Sequence, residues 1–182
     1  MPNRKRNYSH ADERSAYYRA GPAVIATLLG LEVEAVSINA DDECCSWIAI
    51  RKPLYGEMNC PVDRLAKFSM LKVLLAGPAA KMRYSFGSVS AEFDPSNRHL
   101  VRDPAILRAL NLAAELPQNG LSIISALWHG VGCSLAQTEV WSAVEGVVRA
   151  LLNDREIAGS TVEEIVWHSM PPLPNQCSQL HS

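Results

Sequence analysis

Residues 16–30 read Ala16-Tyr17-Tyr18-Arg19-Ala20-Gly21-Pro22-Ala23-Val24-Ile25-Ala26-Thr27-Leu28-Leu29-Gly30. Ala16, Ala20, Val24 and Leu28 recur every fourth residue, which on a helix gathers them into one apolar stripe. Asp12 and Glu13 come just before, and acidic side chains suit a helix start because the aligned peptide dipoles leave positive charge there. Gly30 closes the segment. Pro22 interrupts it, since its ring lacks the N–H that would bond the Tyr18 carbonyl and presses on that carbonyl, at roughly 3 kcal/mol in a helix interior. A kink or restart is expected at this point, eased by Gly21, which has no Cβ.

The stretch resembles the active-site helix of the peptidase domain in FtsH-type ATP-dependent zinc metalloproteases, which typically reads Ala-Tyr-His-Glu-Ala-Gly-His-Ala-Val-Val-Ala. Tyr18 stands at the first zinc-binding His, Arg19 at the catalytic Glu and Pro22 at the second His. In such a helix the two His, at i and i+4, converge on one zinc, and the Glu takes a proton from the zinc-bound water. A neutral phenol is a poor zinc ligand, Pro has no side-chain donor, and Arg stays protonated and cannot serve as a base. The resemblance therefore implies the frame of a peptidase domain with no catalytic residue. Arg19 is the degenerate equivalent of the base, Tyr18 and Pro22 are degenerate ligand positions, and zinc, the family's cofactor, is not expected here.

Further stretches carry the same resemblance in the same order. Val33-Glu34-Ala35-Val36-Ser37-Ile38 matches the strand that follows the helix and opens a small β-ribbon, whose edge in the family can receive an extended substrate. Leu74-Leu75-Ala76-Gly77-Pro78-Ala79-Ala80 resembles a Leu-x-Ala-Gly-x-Ala-Ala-Glu segment, with Lys81 where Glu is usual. Its small residues let another helix approach closely. The family's third zinc ligand is an Asp leading into a helix, and both Asp94 and Asp103 are candidates; Asp103, before Pro104, also reads as a helix N-cap. Ile157 to Ile165 resembles the closing turn and helix, with Ser160 or Thr161 able to cap it. Arg19 is expected either to turn outward to water or to pair with Glu92, Asp94 or Asp103. Tyr18 is expected to cover the former metal position with its ring, its hydroxyl reaching solvent or a polar neighbour.

Hydrophobic periodicity organises the remainder. Residues 32–39 alternate as a strand, 46–50 pair with it, and 40–43 form the turn. Residues 53–60 are a loop, and Pro61 starts a long helix. An irregular segment over 85–103 is followed by helices near 103–116, 119–129, 138–153 and 160–168. The fold class is mainly α (α+β), a helical peptidase-like domain with a small β-ribbon over about 32–51. A single domain over 12–170 is expected between a disordered N-terminus (1–11) and a disordered tail (171–182).

Composition narrows the functional classes. At 182 residues, 48% hydrophobic and 20% charged, the chain is an ordinary globular domain with net charge −2, and nothing calls for nucleic acid or an acidic membrane. Arg4-Lys5-Arg6 reads as a solvated terminus. No apolar stretch is long enough to span a bilayer and no signal peptide is visible. Cys44, Cys45, Cys60, Cys133 and Cys177 lack finger spacing and read as reduced thiols in a cytoplasmic protein. There is no phosphate loop, nucleophile elbow or dinucleotide fingerprint. His129 and Cys133 form an i, i+4 pair that could bind metal on a helix, weakened by Gly130 and Gly132. The expectation is a non-catalytic, stand-alone peptidase-like module that binds or scaffolds an unidentified protein or peptide. The alternatives are a metal-dependent hydrolase using other ligands and a purely structural helical protein.

Overall fold

Two long helices that carry the same four residues near their middles cross at the centre of the molecule. Ala20-Gly21-Pro22-Ala23 lies in α1 (His10–Leu28) and Ala76-Gly77-Pro78-Ala79 in α2 (Pro61–Phe86). In this computed structural model, residues 8–38, 48–50, 61–116 and 119–171 are described. A Cβ on Gly21 would stand 2.6 Å from both the Ala76 carbonyl oxygen and Ala80 Cβ. One on Gly77 would stand 2.9 Å from the Tyr18 carbonyl oxygen and 3.3 Å from Pro22 Cγ. Each glycine thus admits the other helix's backbone. The Tyr18 carbonyl, which Pro22 deprives of its helical donor, is the one that meets Gly77. The restart expected at Pro22 does not occur, because α1 continues unbroken to Leu28 with the Pro22 ring packed on α2. Tertiary packing here outweighs local propensity.

Helix α1 begins at His10, earlier than the acidic pair suggests. The Ser9 hydroxyl accepts the Asp12 N–H at 3.1 Å and the Asp12 carboxylate accepts the Ser9 N–H at 3.3 Å, a reciprocal capping box. Residues 9–11, placed with the terminus on sequence grounds, therefore belong to the helix and its cap. The turn over 40–43, the loop over 53–60, the basic cluster at 4–6 and Cys44, Cys45, Cys60 and Cys177 lie outside the described residues.

The ribbon is present and carries one strand more than expected. Strands β1 (Val33–Ser37) and β2 (Ile48–Ile50) are antiparallel, with Val33 opposite Ile50 and Val36 opposite Ile48. β3 (Glu156–Ala158) adds to the other side of β1, giving the order β2-β1-β3. Residues 157–158, read from sequence as part of a closing turn, are thus sheet. Val36 and Ile157 face each other in the register and both are buried, so this pair seals the sheet against the helices. Both edges of β1 are used, so an extended peptide has no free edge of β1 to join.

Helices α3 (Arg98–Val101), α4 (Pro104–Ala114), α5 (Gly120–Ala136), α6 (Thr138–Asp154) and α7 (Gly159–Ser169) complete the chain. Helix α5 runs on to Ala136 through Gly130 and Gly132, held by fully buried Trp128 and Leu135. Helix α7 starts at Gly159 without a side-chain cap, so the expected Ser160 or Thr161 cap is not used. A Cβ on Gly159 would overlap the Val33 carbonyl at 1.6 Å, so backbone contact with β1 sets the start of the helix. Arg155 ends α6 in the left-handed region (φ 65°). Its carbonyl accepts the Ile38 N–H at 2.9 Å, and its guanidinium pairs with Asp12 at 2.7 Å, tying α6 to β1 and α1. Tyr84 stacks on Tyr17 at 4.3 Å and Tyr17 on Trp141 at 5.4 Å, with Arg83 lying 4.2 Å from the Trp141 ring centre. This stack joins α1, α2 and α6.

The crossing makes a prediction in which sign is the readout. At an open helix position Gly→Ala gains up to about 1 kcal/mol. Gly130, with nothing within 4 Å of an added Cβ, should show that gain in urea unfolding of Gly130→Ala. Gly21→Ala should instead lose about 1–3 kcal/mol, because backbone must move to admit the methyl. A gain at Gly21 comparable to that at Gly130 would overturn the close crossing.

Candidate functional site: a cationic cleft at the helix crossing

Above the crossing, α1, α2 and the start of α4 enclose a cleft with two joined chambers. The first, of about 510 Å³, is lined chiefly by Arg14, Ser15, Tyr18, Arg19, Lys81 and Asp103. The second, of about 440 Å³, shares Arg14, Lys81 and Asp103 and adds Pro78, Met82, Phe86 and Leu100. Helical spacing explains the convergence. Arg14 precedes Tyr18 by one turn on α1, and Lys81 follows Gly77 by one turn on α2.

Tyr18 is the centre of the site. Its hydroxyl donates to Asp103 Oδ1 at 2.7 Å. The same oxygen accepts the Ala105 N–H at 2.9 Å, which makes Asp103 the N-cap of α4 with Pro104 at the first turn, as the sequence suggests. Burial, reinforced by the Asp103 charge and this hydrogen bond, pushes the Tyr18 phenol well above its ordinary range. Lys81 Nζ lies 5.7 Å and the Arg19 guanidinium carbon 5.9 Å from the centre of the ring, so two cations flank its π-system.

Of the two candidate Asp residues, the structure brings Asp103 to Tyr18. Asp94 is exposed and bonds the Ser96 N–H and hydroxyl at 2.8 and 2.6 Å, and these bonds lower its pKa. Neither Asp94 nor exposed Glu92 lines the cleft. Arg19 does not turn outward. It is 7% exposed and lines the first chamber together with Asp103. Pro22 is buried against α2 and faces away from any ligand role. The sequence reading missed Arg14, although its i, i+4 relation to Tyr18 was a signal that they share a face. Lys81 was noticed only as a replacement for Glu.

These side chains do not fit a zinc ion. The phenol at position 18 is favoured in its neutral form and donates a hydrogen bond to Asp103, and Arg19 and Lys81 would oppose a dication at that point. Among the described residues no group of three His, Cys, Asp or Glu stands close enough to hold a metal. His129 and Cys133 do share a face of α5, with Nε2 and Sγ 3.6 Å apart, but supply only two donors. No helix among the described residues is long and apolar enough to cross a membrane. No protein-family model matches the chain, and no curated protein matches its sequence.

Two outcomes follow from this geometry. Asp103→Ala should cost about 1–3 kcal/mol in urea unfolding, since it removes a helix cap and leaves the Tyr18 hydroxyl without its carboxylate. Asp94→Ala, at the surface, should stay within about 0.5 kcal/mol. The second outcome concerns alkaline pH. A phenol whose pKa is raised on folding stabilises the fold fully below its unfolded value, about 10, and loses that contribution as pH rises through the folded value. Tyr84, pushed up to about 12 by its bond to Glu13, and Tyr17, raised by burial, act in the same direction. Melting temperature should therefore fall above about pH 10, and Tyr18→Phe should flatten part of that fall relative to the parent.

Proposed function

We propose that this chain is a non-catalytic binding or scaffolding module, built on the helical frame of an FtsH-type peptidase domain and acting in the cytoplasm on a protein or peptide partner. The observation that carries this is the Tyr18–Asp103 hydrogen bond of 2.7 Å. In the resembling helix, position 18 holds the first zinc-binding His, and the family's third ligand is an Asp that leads into a later helix. Here the residue at 18 meets just such an Asp, at the start of α4. On that resemblance, the hydrogen-bonded phenol of Tyr18 and the Arg19 cation stand at sequence positions that hold a zinc ligand and the base in the family, with Lys81 beside the ring. What remains is a concave, positively lined cleft over two rigid helices, suited to holding a ligand rather than activating water.

Elemental analysis and a casein-cleavage assay test this directly. The expected result is zinc far below stoichiometric and no cleavage. Stoichiometric zinc that is lost in Asp103→Ala would overturn it. The triple variant Tyr18→His, Arg19→Glu, Pro22→His should bind zinc more tightly than the parent by calorimetry, with Asp103→Ala on that background removing the gain. A triple variant that folds but binds zinc no better than the parent would show that Asp103 is not poised as the third ligand.

A further inference from the structure

We infer that the two-chambered cleft captures the C-terminal carboxylate of a peptide whose last residue is apolar. The inference deepens the binding-module reading and rests on it. Arg14 and Lys81 line the first chamber beside Arg19, and among the described residues Asp103 is the carboxylate that lines it with them. That carboxylate already accepts the Tyr18 hydroxyl and the Ala105 N–H through Oδ1. Among the described residues, Arg14 and Lys81 enter no ion pair. Like charges gathered in a concavity with low-dielectric walls focus a positive potential, and a bound anion relieves their mutual repulsion. Guanidinium and ammonium groups are the usual partners of a carboxylate, the former in a two-bond fork.

The second chamber supplies the other half of the ligand. Pro78, Met82, Phe86 and Leu100 give it apolar walls, and Phe86 is 79% exposed, which is unusual for a large aromatic side chain. Arg14, Lys81 and Asp103 line both chambers, so a group held by the cations has its apolar continuation directed at Phe86. Ser85 and His99 also line this chamber and offer polar atoms for a peptide amide. An anionic head beside an apolar side chain and an amide is the chemistry of a peptide C-terminus, a recurring mode of terminal recognition.

Calorimetry on the full chain at low salt tests the assignment with acetyl-Ala-Ala-Phe, its C-terminal amide, and octanoate. The free acid should bind saturably and at least tenfold more tightly than the amide. Arg14→Gln with Lys81→Gln should weaken the acid tenfold or more, and Phe86→Ser should weaken it severalfold, with circular dichroism confirming folded variants. The acid–amide comparison needs no variant and stands even if the variants fail to fold. Equal binding of acid and amide, or no saturable binding of the acid, overturns the inference. Octanoate binding more tightly than the tripeptide overturns the peptide assignment in favour of a small free acid. Mass spectrometry separates the two levels: cleavage of the tripeptide sinks the non-catalytic reading and this inference with it, whereas an intact but unbound peptide sinks this inference alone.

Discussion

The contact on which the other features depend is the backbone-to-backbone approach of α1 and α2 at Gly21 and Gly77. A side chain at either position would displace the opposing carbonyl, so this closeness is possible only with glycine. Once the axes are fixed there, the helical repeat distributes everything else. One turn along α2 from Gly77 comes Lys81, and one turn back along α1 from Tyr18 comes Arg14. The walls of the cleft are therefore consequences of the crossing. The two proline rings, which in isolated helices would break the hydrogen-bond ladder, sit where tertiary packing offsets the loss.

The polar part of the cleft follows a different logic. Tyr18 is largely buried and its hydroxyl needs an acceptor, which Asp103 supplies while also satisfying an orphan N–H of α4. One carboxylate oxygen thus couples the orientation of a ring on α1 to the start of α4. Asp103 accepts from neutral donors there, and Arg14 and Lys81, which enter no ion pair among the described residues, add positive charge to the cavity wall. An arrangement of this kind opposes a metal ion and favours an anion, and the same residues account for both effects.

The sheet is a lesser partner. β1 lies between β2 and β3, and Arg155, at the end of α6, reaches both the end of β1 and the first turn of α1. Together with the ring stack of Tyr84, Tyr17 and Trp141, these bonds hold α6 against α1. With both edges of β1 paired, that strand offers no free edge to a ligand.

Sequence by itself determined the elements whose cause is local. The four-residue apolar repeat of α1, the alternation over Val33–Ser37 and the Asp103-Pro104 helix start are all written in neighbouring residues, and each appears in the structure. Residue type alone also sets the expectation that positions 18, 19 and 22 supply neither a zinc ligand nor a base. Only the tertiary structure decided that Pro22 leaves α1 intact, that 156–158 is a strand, and that Asp103 rather than Asp94 meets Tyr18. Those outcomes rest on partners 56, 121 and 85 positions away, the separations of Gly21 from Gly77, Val36 from Ile157 and Tyr18 from Asp103, where no local periodicity carries information. The convergence of Arg14, Arg19 and Lys81 is of the same kind: each charge is visible in the sequence, but a cleft exists only once two helices cross closely enough to bring them to one wall.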